Sequence, residues 1–173
     1  MRSQRFVALK ATLVVLVALV LQQGLISHLR VAGAIGNLML VVTVAAAVTG
    51  GADRGVVYGF AAGLAHDLML DSPFGLSALV LALVGWSVGV LSSALVRPPR
   101  WWAPVLAVAA GLASAAMTTV VGHVMGVPYP ADDIVRIGLV EGLIAAVLVV
   151  PTRRVIRWVH GVEEHVPYRM ALR

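Results

Sequence analysis

Four ionisable side chains lie within otherwise apolar stretches of the chain, where charge is costly. They are His66, Asp67, His123 and Glu141. A charged carboxylate at the centre of a membrane-spanning helix costs about 2.5–3.5 kcal/mol, so each such group needs a partner or a proton. Two interpretations follow: the four groups form a polar site between helices, or each makes an interhelical hydrogen bond that fixes helix packing. The second is simpler, because such bonds, worth about 0.6–2 kcal/mol each, are common in membrane bundles.

The same residues give little support to metal binding or catalysis. Neighbouring residues on a helix diverge by about 100°, so His66 and Asp67 cannot easily hold one ion together. Asp67 and Asp71 share a face, but Asp71 is better explained as a helix cap. The chain has no cysteine, and Ser72, Ser77, Ser92, Ser93 and Ser114 lack the G-x-S-x-G context of a hydrolase nucleophile. We therefore expect no catalytic residue, no metal and no cofactor, and a protein that is not an enzyme.

The composition is that of an integral membrane protein. Of the 173 residues, 60% are hydrophobic and 12% are charged, and the mean hydropathy is +0.96, whereas soluble domains carry about 25% charged residues. The apolar blocks do not alternate with a period of two, so helices are expected rather than the strands of a barrel. The formal net charge is +5. Because the basic residues cluster at the ends of apolar blocks, as the positive-inside rule predicts, we expect no nucleic-acid partner.

Runs of about 20 apolar residues, the length that crosses a bilayer as a helix, predict a single domain over residues 1–173 with six spans. The second of them covers only about 20 Å of a hydrocarbon core about 30 Å thick, so it is extended by its neighbours or shielded inside the bundle. Pro151 follows the last span, and the basic tail over 151–173 suits an interfacial helix on anionic membrane lipids. The predicted fold is an all-α integral membrane protein, a six-transmembrane-helix bundle. The spans are 6–26, 37–49, 55–70, 73–96, 103–125 and 134–150.

Glycines recur at helical spacing along the third predicted span. Gly55, Gly59 and Gly63 are four residues apart, and the next step along the same face is Asp67. Small residues at this spacing let two membrane helices approach closely, and a carboxylate on the same face must meet protein rather than lipid. We therefore expect a helix-packing or partner interface at Gly55, Gly59, Gly63, Asp67, Gly75, Gly85 and Gly89.

Two turns are predicted beside the third span. The adjacent glycines of the segment 50–54 favour a tight turn before it. After it, Asp71 or Ser72 is expected to cap the fourth helix, with Pro73 in the first helical turn.

Six spans place both termini on the same side of the membrane. With the termini in the cytoplasm, eleven of the thirteen Lys and Arg residues are cytoplasmic, because only Arg30 and Arg136 lie on the other side. The opposite orientation reverses this bias. We therefore expect a multi-pass membrane protein with both termini cytoplasmic.

The segment YGFAAGLAHDLMLDSPFGLSALVLALVGW combines a glycine-spaced helix, an Asp near its outer end, a turn, an xFGLxAL motif and a Gly-aromatic pair. In this combination the chain resembles the MreD family of rod shape-determining membrane proteins. It departs from the usual family pattern at Gly36, where Pro is common, and at Trp86, where Tyr is common. Neither change alters the expected chemistry. The residues that carry the resemblance are Gly59, Gly63, Asp67, Asp71, Gly75, Leu76, Leu79, Gly85 and Trp86.

The resemblance implies a non-catalytic scaffold subunit of the bacterial cell-elongation machinery, located in the inner (plasma) membrane. The implied partners are a single-pass protein of the MreC type, the MreB filament, a RodA-type glycosyltransferase and a penicillin-binding transpeptidase. The family is also similar in fold to the six-helix substrate-binding subunits of energy-coupling vitamin transporters. An alternative function is therefore a membrane-embedded small-molecule (vitamin) binding subunit, with a closed pocket lined by Asp67, His123 and Glu141. The scaffold hypothesis predicts instead a filled bundle with an apolar groove for another protein's transmembrane helix.

Overall fold

The computed structural model describes residues 2–24, 30–31, 34–69, 74–94, 99, 101–124, 126 and 133–160. Within these ranges the chain is almost entirely helical, and five helices are long and apolar enough to cross a membrane. Two strands of two residues each, β1 (Arg30–Val31) and β2 (Ala34–Ile35), form a small antiparallel sheet after the first helix. The helices are α1 (Arg2–Gly24), α2 (Leu38–Asp67), α3 (Leu76–Ser93), α4 (Trp102–Val124) and α5 (Ile134–His160).

Helix α2 is interrupted at Gly51. This residue has φ 75° and ψ −166°, a conformation that is essentially restricted to glycine. A Cβ atom built on Gly55 would lie 3.0 Å from the Cβ of Ala47, whereas residues eight apart on a straight helix are separated by about 12 Å. The segments 38–50 and 52–67 of α2 therefore fold back on each other at Gly51, within the turn predicted for 50–54.

The first segment of α2 forms the centre of the bundle. All residues from Met39 to Ala47 are buried, and none of them exposes more than 4% of its surface. A helix buried on every side needs no polar face, which explains why this short segment is apolar all round. Of the two possibilities left open by the sequence, shielding inside the bundle is the one observed.

In the first half of the chain the observed helices differ from the predicted spans most clearly in the number of helices and in the start of α3. Five helices are observed instead of six spans, because the second and third predicted spans are the two segments of α2. Helix α3 begins at Leu76 with Gly75 as its N-cap, so the predicted start at Pro73 is wrong. The proposed caps Asp71 and Ser72, like Pro73 itself, lie outside the described residues. The N-cap residue has a φ of 96°, in the left-handed region, which glycine adopts without strain because it has no Cβ.

The last helix is longer than the last predicted span. Helix α5 continues through Pro151 to His160, whereas the span is predicted to end at residue 150. The extension is held by burial, since Ile156 and Val159 are 0% and 1% exposed. The packing of these two side chains against other helices helps to offset the roughly 3 kcal/mol that an internal proline costs a helix.

The helices pack as two close pairs around the first segment of α2 (residues 38–50), which we call the central segment. Helix α2 lies mainly against α3, and α4 lies mainly against α5. Helix α1 packs on α2 through Val15, Ala18 and Leu19, which are buried in the common core. Much of the outer face of α1 remains apolar and exposed, as expected for a surface in contact with lipid.

Candidate functional site

The glycines of α2 form a continuous close contact with α3, which we call the glycine seam. Its α2 side comprises Gly55, Gly59 and Gly63. A Cβ atom on Gly59 would overlap the main-chain carbonyl of Leu81, and a Cβ on Gly63 would overlap the main chain at Ser77 and Ala78. The two helices approach so closely that main chain meets main chain. Only glycine fits at these positions without a shift of a backbone.

Glycines of α3 complete the seam and bring a third segment into it. A Cβ on Gly85 would overlap the carbonyl of Gly55 and would lie 2.9 Å from Cγ2 of Thr43, in the first segment of α2. A Cβ on Gly89 would lie 2.5 Å from the Cα of Ala52. The seam is therefore the place where both segments of α2 and the whole of α3 are held together.

Asp67 closes the outer end of the seam. Its side chain is 2% exposed, and its carboxylate accepts three main-chain hydrogen bonds from the start of α3. Oδ2 accepts from the N–H groups of Gly75 (2.9 Å) and Ala78 (3.2 Å), and Oδ1 accepts from the N–H of Ser77 (3.1 Å). The first N–H groups of a helix lack partners within that helix and carry a partial positive charge. A carboxylate from α2 thus caps α3 and ties the two helices together.

The three other ionisable residues predicted as site residues take no part in this cap. His66 is half-buried, Glu141 is half-buried on α5 and His123 is exposed near the end of α4. Among the described residues, no hydrogen bond or ion pair joins any two of these side chains or joins one of them to Asp67. No group of three or more His, Asp or Glu suited to a metal ion occurs in the described ranges.

A second glycine contact joins α4 to α5. A Cβ on Gly111 would lie 2.5 Å from the Cα of Gly142 and 2.5 Å from the carbonyl oxygen of Gly138. Gly138 and Gly142 are four residues apart and share one face of α5, whereas Glu141, next to Gly142, is directed about 100° away from it. This contact uses the same principle as the glycine seam but includes no capping carboxylate.

Gln22 is a structural residue that sequence reasoning missed. The sequence indicates only that α1 becomes polar near its end, but the structure buries Gln22 at 7% exposure. Its Nε2 donates to the carbonyl of Gly36 (2.8 Å), and its Oε1 accepts from the N–H of Leu38 (2.7 Å). Asn37 accepts from the N–H of Leu40 (3.1 Å). The side-chain amides of Gln22 and Asn37 thus cap the first segment of α2. The sequence could have indicated this role, because an amide left unpaired inside a membrane bundle is costly.

The geometry is that of a packing site. Asp67 holds two helices in register, and the glycines remove the side chains that would separate them. Within the described residues, the seam presents no nucleophile paired with a base, which covalent catalysis requires. What the arrangement provides is a rigid contact among three helical segments.

Comparison with known proteins gives one match. A family model described as rod shape-determining protein MreD matches residues 3–159, nearly the whole chain, and confirms the resemblance found in the sequence. No curated protein and no solved structure matches the chain. The expected similarity in fold to vitamin-transporter subunits therefore stays a prediction.

Proposed function

Because the chain belongs to the MreD family of rod shape-determining proteins, we propose that it is a non-catalytic scaffold subunit of the bacterial cell-elongation complex. The observation that carries the scaffold role is the use of Asp67. A buried carboxylate in a membrane bundle marks either a ligand site or a structural latch. Here its oxygens accept three N–H groups of α3, which favours the latch.

We propose six membrane crossings, with the two segments of α2 counted separately and both termini cytoplasmic. The fold-back at Gly51 supports this count, because it reverses the direction of the chain within α2. The contact between Lys10 and Trp158, 4.6 Å from Nζ to the ring centroid, supports it independently. Lys10 lies near the start of α1 and Trp158 near the end of α5, so both ends of the chain lie at the same surface of the bundle. The excess of Lys and Arg at that surface supports its assignment to the cytoplasmic face of the inner membrane.

In this role the chain binds an MreC-type single-pass protein and links the MreB filament to peptidoglycan synthesis. The RodA-type glycosyltransferase and the penicillin-binding transpeptidase are proposed as indirect partners. The support for these partners is the family itself, since rod-shape complexes contain MreC and MreB beside MreD. The support from the structure is a rigid bundle with extensive apolar outer faces, such as that of α1, where other membrane helices can pack.

We expect the chain to be recovered with an MreC-type protein of the same genome when the two are co-expressed and purified in mild detergent. An unrelated single-pass protein expressed at the same level is the control for non-specific recovery. The Gly24→Ala variant shows the effect of replacing a glycine outside any close contact, because a Cβ on Gly24 meets nothing within 4 Å. It should recover as much partner as the unchanged chain does.

Two outcomes of this purification contradict the scaffold proposal. The first is recovery of the MreC-type protein at no more than the level of the unrelated control. The second is purification with a stoichiometric small molecule, which would support the transporter-subunit alternative. In the structure Asp67 is engaged by α3 and His123 is exposed, so no specific observation favours that alternative.

A further inference from the structure

A groove of about 320 Å³ runs along the outside of the bundle between α1 and α5, over the start of α2. Its walls include Leu13, Val17 and Leu21 of α1, Leu38 of α2, and Thr152 and Val155 of α5. The hydroxyl of Thr152 donates to the carbonyl of Leu148 at 2.7 Å, so this residue also presents its methyl group rather than a free polar group. The groove is therefore apolar along its length.

One end of this groove carries a cation. Lys10 precedes Leu13 by one helical turn on α1, and its ammonium lies over the ring of Trp158, 4.6 Å from the centroid. Trp158 in turn follows Val155 by one turn on α5. Among the described residues no carboxylate pairs with Lys10, because the one ion pair there joins Arg136 to Asp133. The groove thus has a positive charge at the end nearer the start of α1 and apolar walls along the rest of its length.

The dimensions of the groove indicate what it can hold. The groove is apolar and open on its outer side, which suits a single extended hydrocarbon chain lying along it. From Lys10, one turn before the groove, to Leu21 at its far end, α1 extends about 16 Å, which matches half of a hydrocarbon core about 30 Å thick.

We propose that this groove binds an anionic phospholipid, with one acyl chain between α1 and α5 and the phosphate at Lys10. The charge complements that of an anionic headgroup, and each Lys or Arg near such a surface contributes about 1 kcal/mol. Trp158 assists by holding the ammonium at the level of the headgroups, where tryptophan is enriched in membrane proteins. The site is distinct from the glycine seam and independent of any protein partner.

The test compares binding of phosphatidylglycerol and phosphatidylcholine with identical acyl chains to the detergent-purified full chain, by native mass spectrometry. We expect phosphatidylglycerol to bind about fivefold more tightly, the equivalent of about 1 kcal/mol. Lys10→Gln should abolish this preference and leave phosphatidylcholine binding unchanged. Arg154→Gln removes the same charge from an exposed position on α5 and should retain the preference.

A second variant tests the acyl-chain part of the site. Val17→Trp fills the groove and should weaken the binding of both lipids, whereas Val57→Trp, at a position on α2 that is 65% exposed and outside the groove, should not. The proposal is overturned if Lys10→Gln keeps the preference, if Arg154→Gln loses it equally, or if Val17→Trp binds lipid normally. Normal lipid binding combined with loss of an MreC-type partner in Val17→Trp would make the groove a protein-binding surface instead.

Discussion

Replacing Gly59 by alanine is expected to lower the free energy of unfolding by about 3 kcal/mol, the upper range for forcing extra atoms into a packed core. The added methyl group would overlap the main-chain carbonyl of Leu81, and a main chain cannot rotate out of the way as a side chain can. The helices α2 and α3 must therefore separate, which also loosens their contact with the central segment. The measurement is reversible unfolding of the purified chain in mixed detergent micelles.

Gly24→Ala is the matched control for this change. A Cβ on Gly24 meets no atom within 4 Å, and alanine favours a helix over glycine by up to about 1 kcal/mol. The same chemical change should therefore leave stability unchanged or raise it slightly. Gly63→Ala should behave as Gly59→Ala does, because its Cβ would overlap the main chain at Ala78. Equal stabilities of the Gly24, Gly59 and Gly63 variants would show that the glycine seam is not a close contact.

Asp67→Leu is expected to destabilise the chain by at least about 3 kcal/mol. The substitution leaves three N–H groups at the start of α3 without their acceptor, and each hydrogen bond to a charged group contributes about 1.5–3 kcal/mol. Asp67→Asn should cost about half as much, because one oxygen can still accept while the amide nitrogen cannot. The stability order Asp, Asn, Leu is the expected signature of a cap.

Asp53→Asn provides the comparison for Asp67→Asn. Asp53 is an exposed carboxylate of the same helix, and surface substitutions usually change stability by no more than about 0.5 kcal/mol. If Asp67→Asn and Asp67→Leu unfold as the unchanged chain does but both lose function completely, the carboxylate acts through its charge on a partner or ligand. That result would contradict the latch on which the scaffold role rests.

The glycine pattern was the most informative part of the sequence. The four-residue spacing of Gly55, Gly59 and Gly63 is a local property of one helix, so the sequence alone indicates which face is bare. It also places Asp67 on that face. What the spacing cannot give is the identity of the facing helix and the register, since both depend on how the chain returns from residue 67 to residue 76.

Three features lay beyond sequence reasoning because each depends on a distant contact. Asp67 can accept hydrogen bonds from α3 only because α3 begins at Leu76, three residues after Pro73, where the sequence predicts its start. The role of Gln22 depends on main-chain groups 14 and 16 positions away. The continuation of α5 past Pro151 depends on burial of Ile156 and Val159 by other helices. Local propensity carries no information about such partners.

The proposed topology, and with it the proposed role, depends on the fold-back of α2. If α2 were one straight helix, the chain would cross the membrane five times and its termini would lie on opposite sides. With the reversal at Gly51, both ends reach the same surface, as the contact of Lys10 with Trp158 also requires. In the proposed topology the basic residues at both ends face the cytoplasm, where a filament could be coupled to the bundle.

The distance between spin labels at Leu38→Cys and Leu68→Cys, measured by pulsed electron resonance, tests this reversal directly. The chain has no native cysteine, so the two labels are unambiguous. Packed antiparallel helices lie about 8–10 Å apart, and with label linkers added we expect a distance below about 25 Å. A straight α2 would place the labels about 45 Å apart, and that result would contradict the six-crossing scaffold.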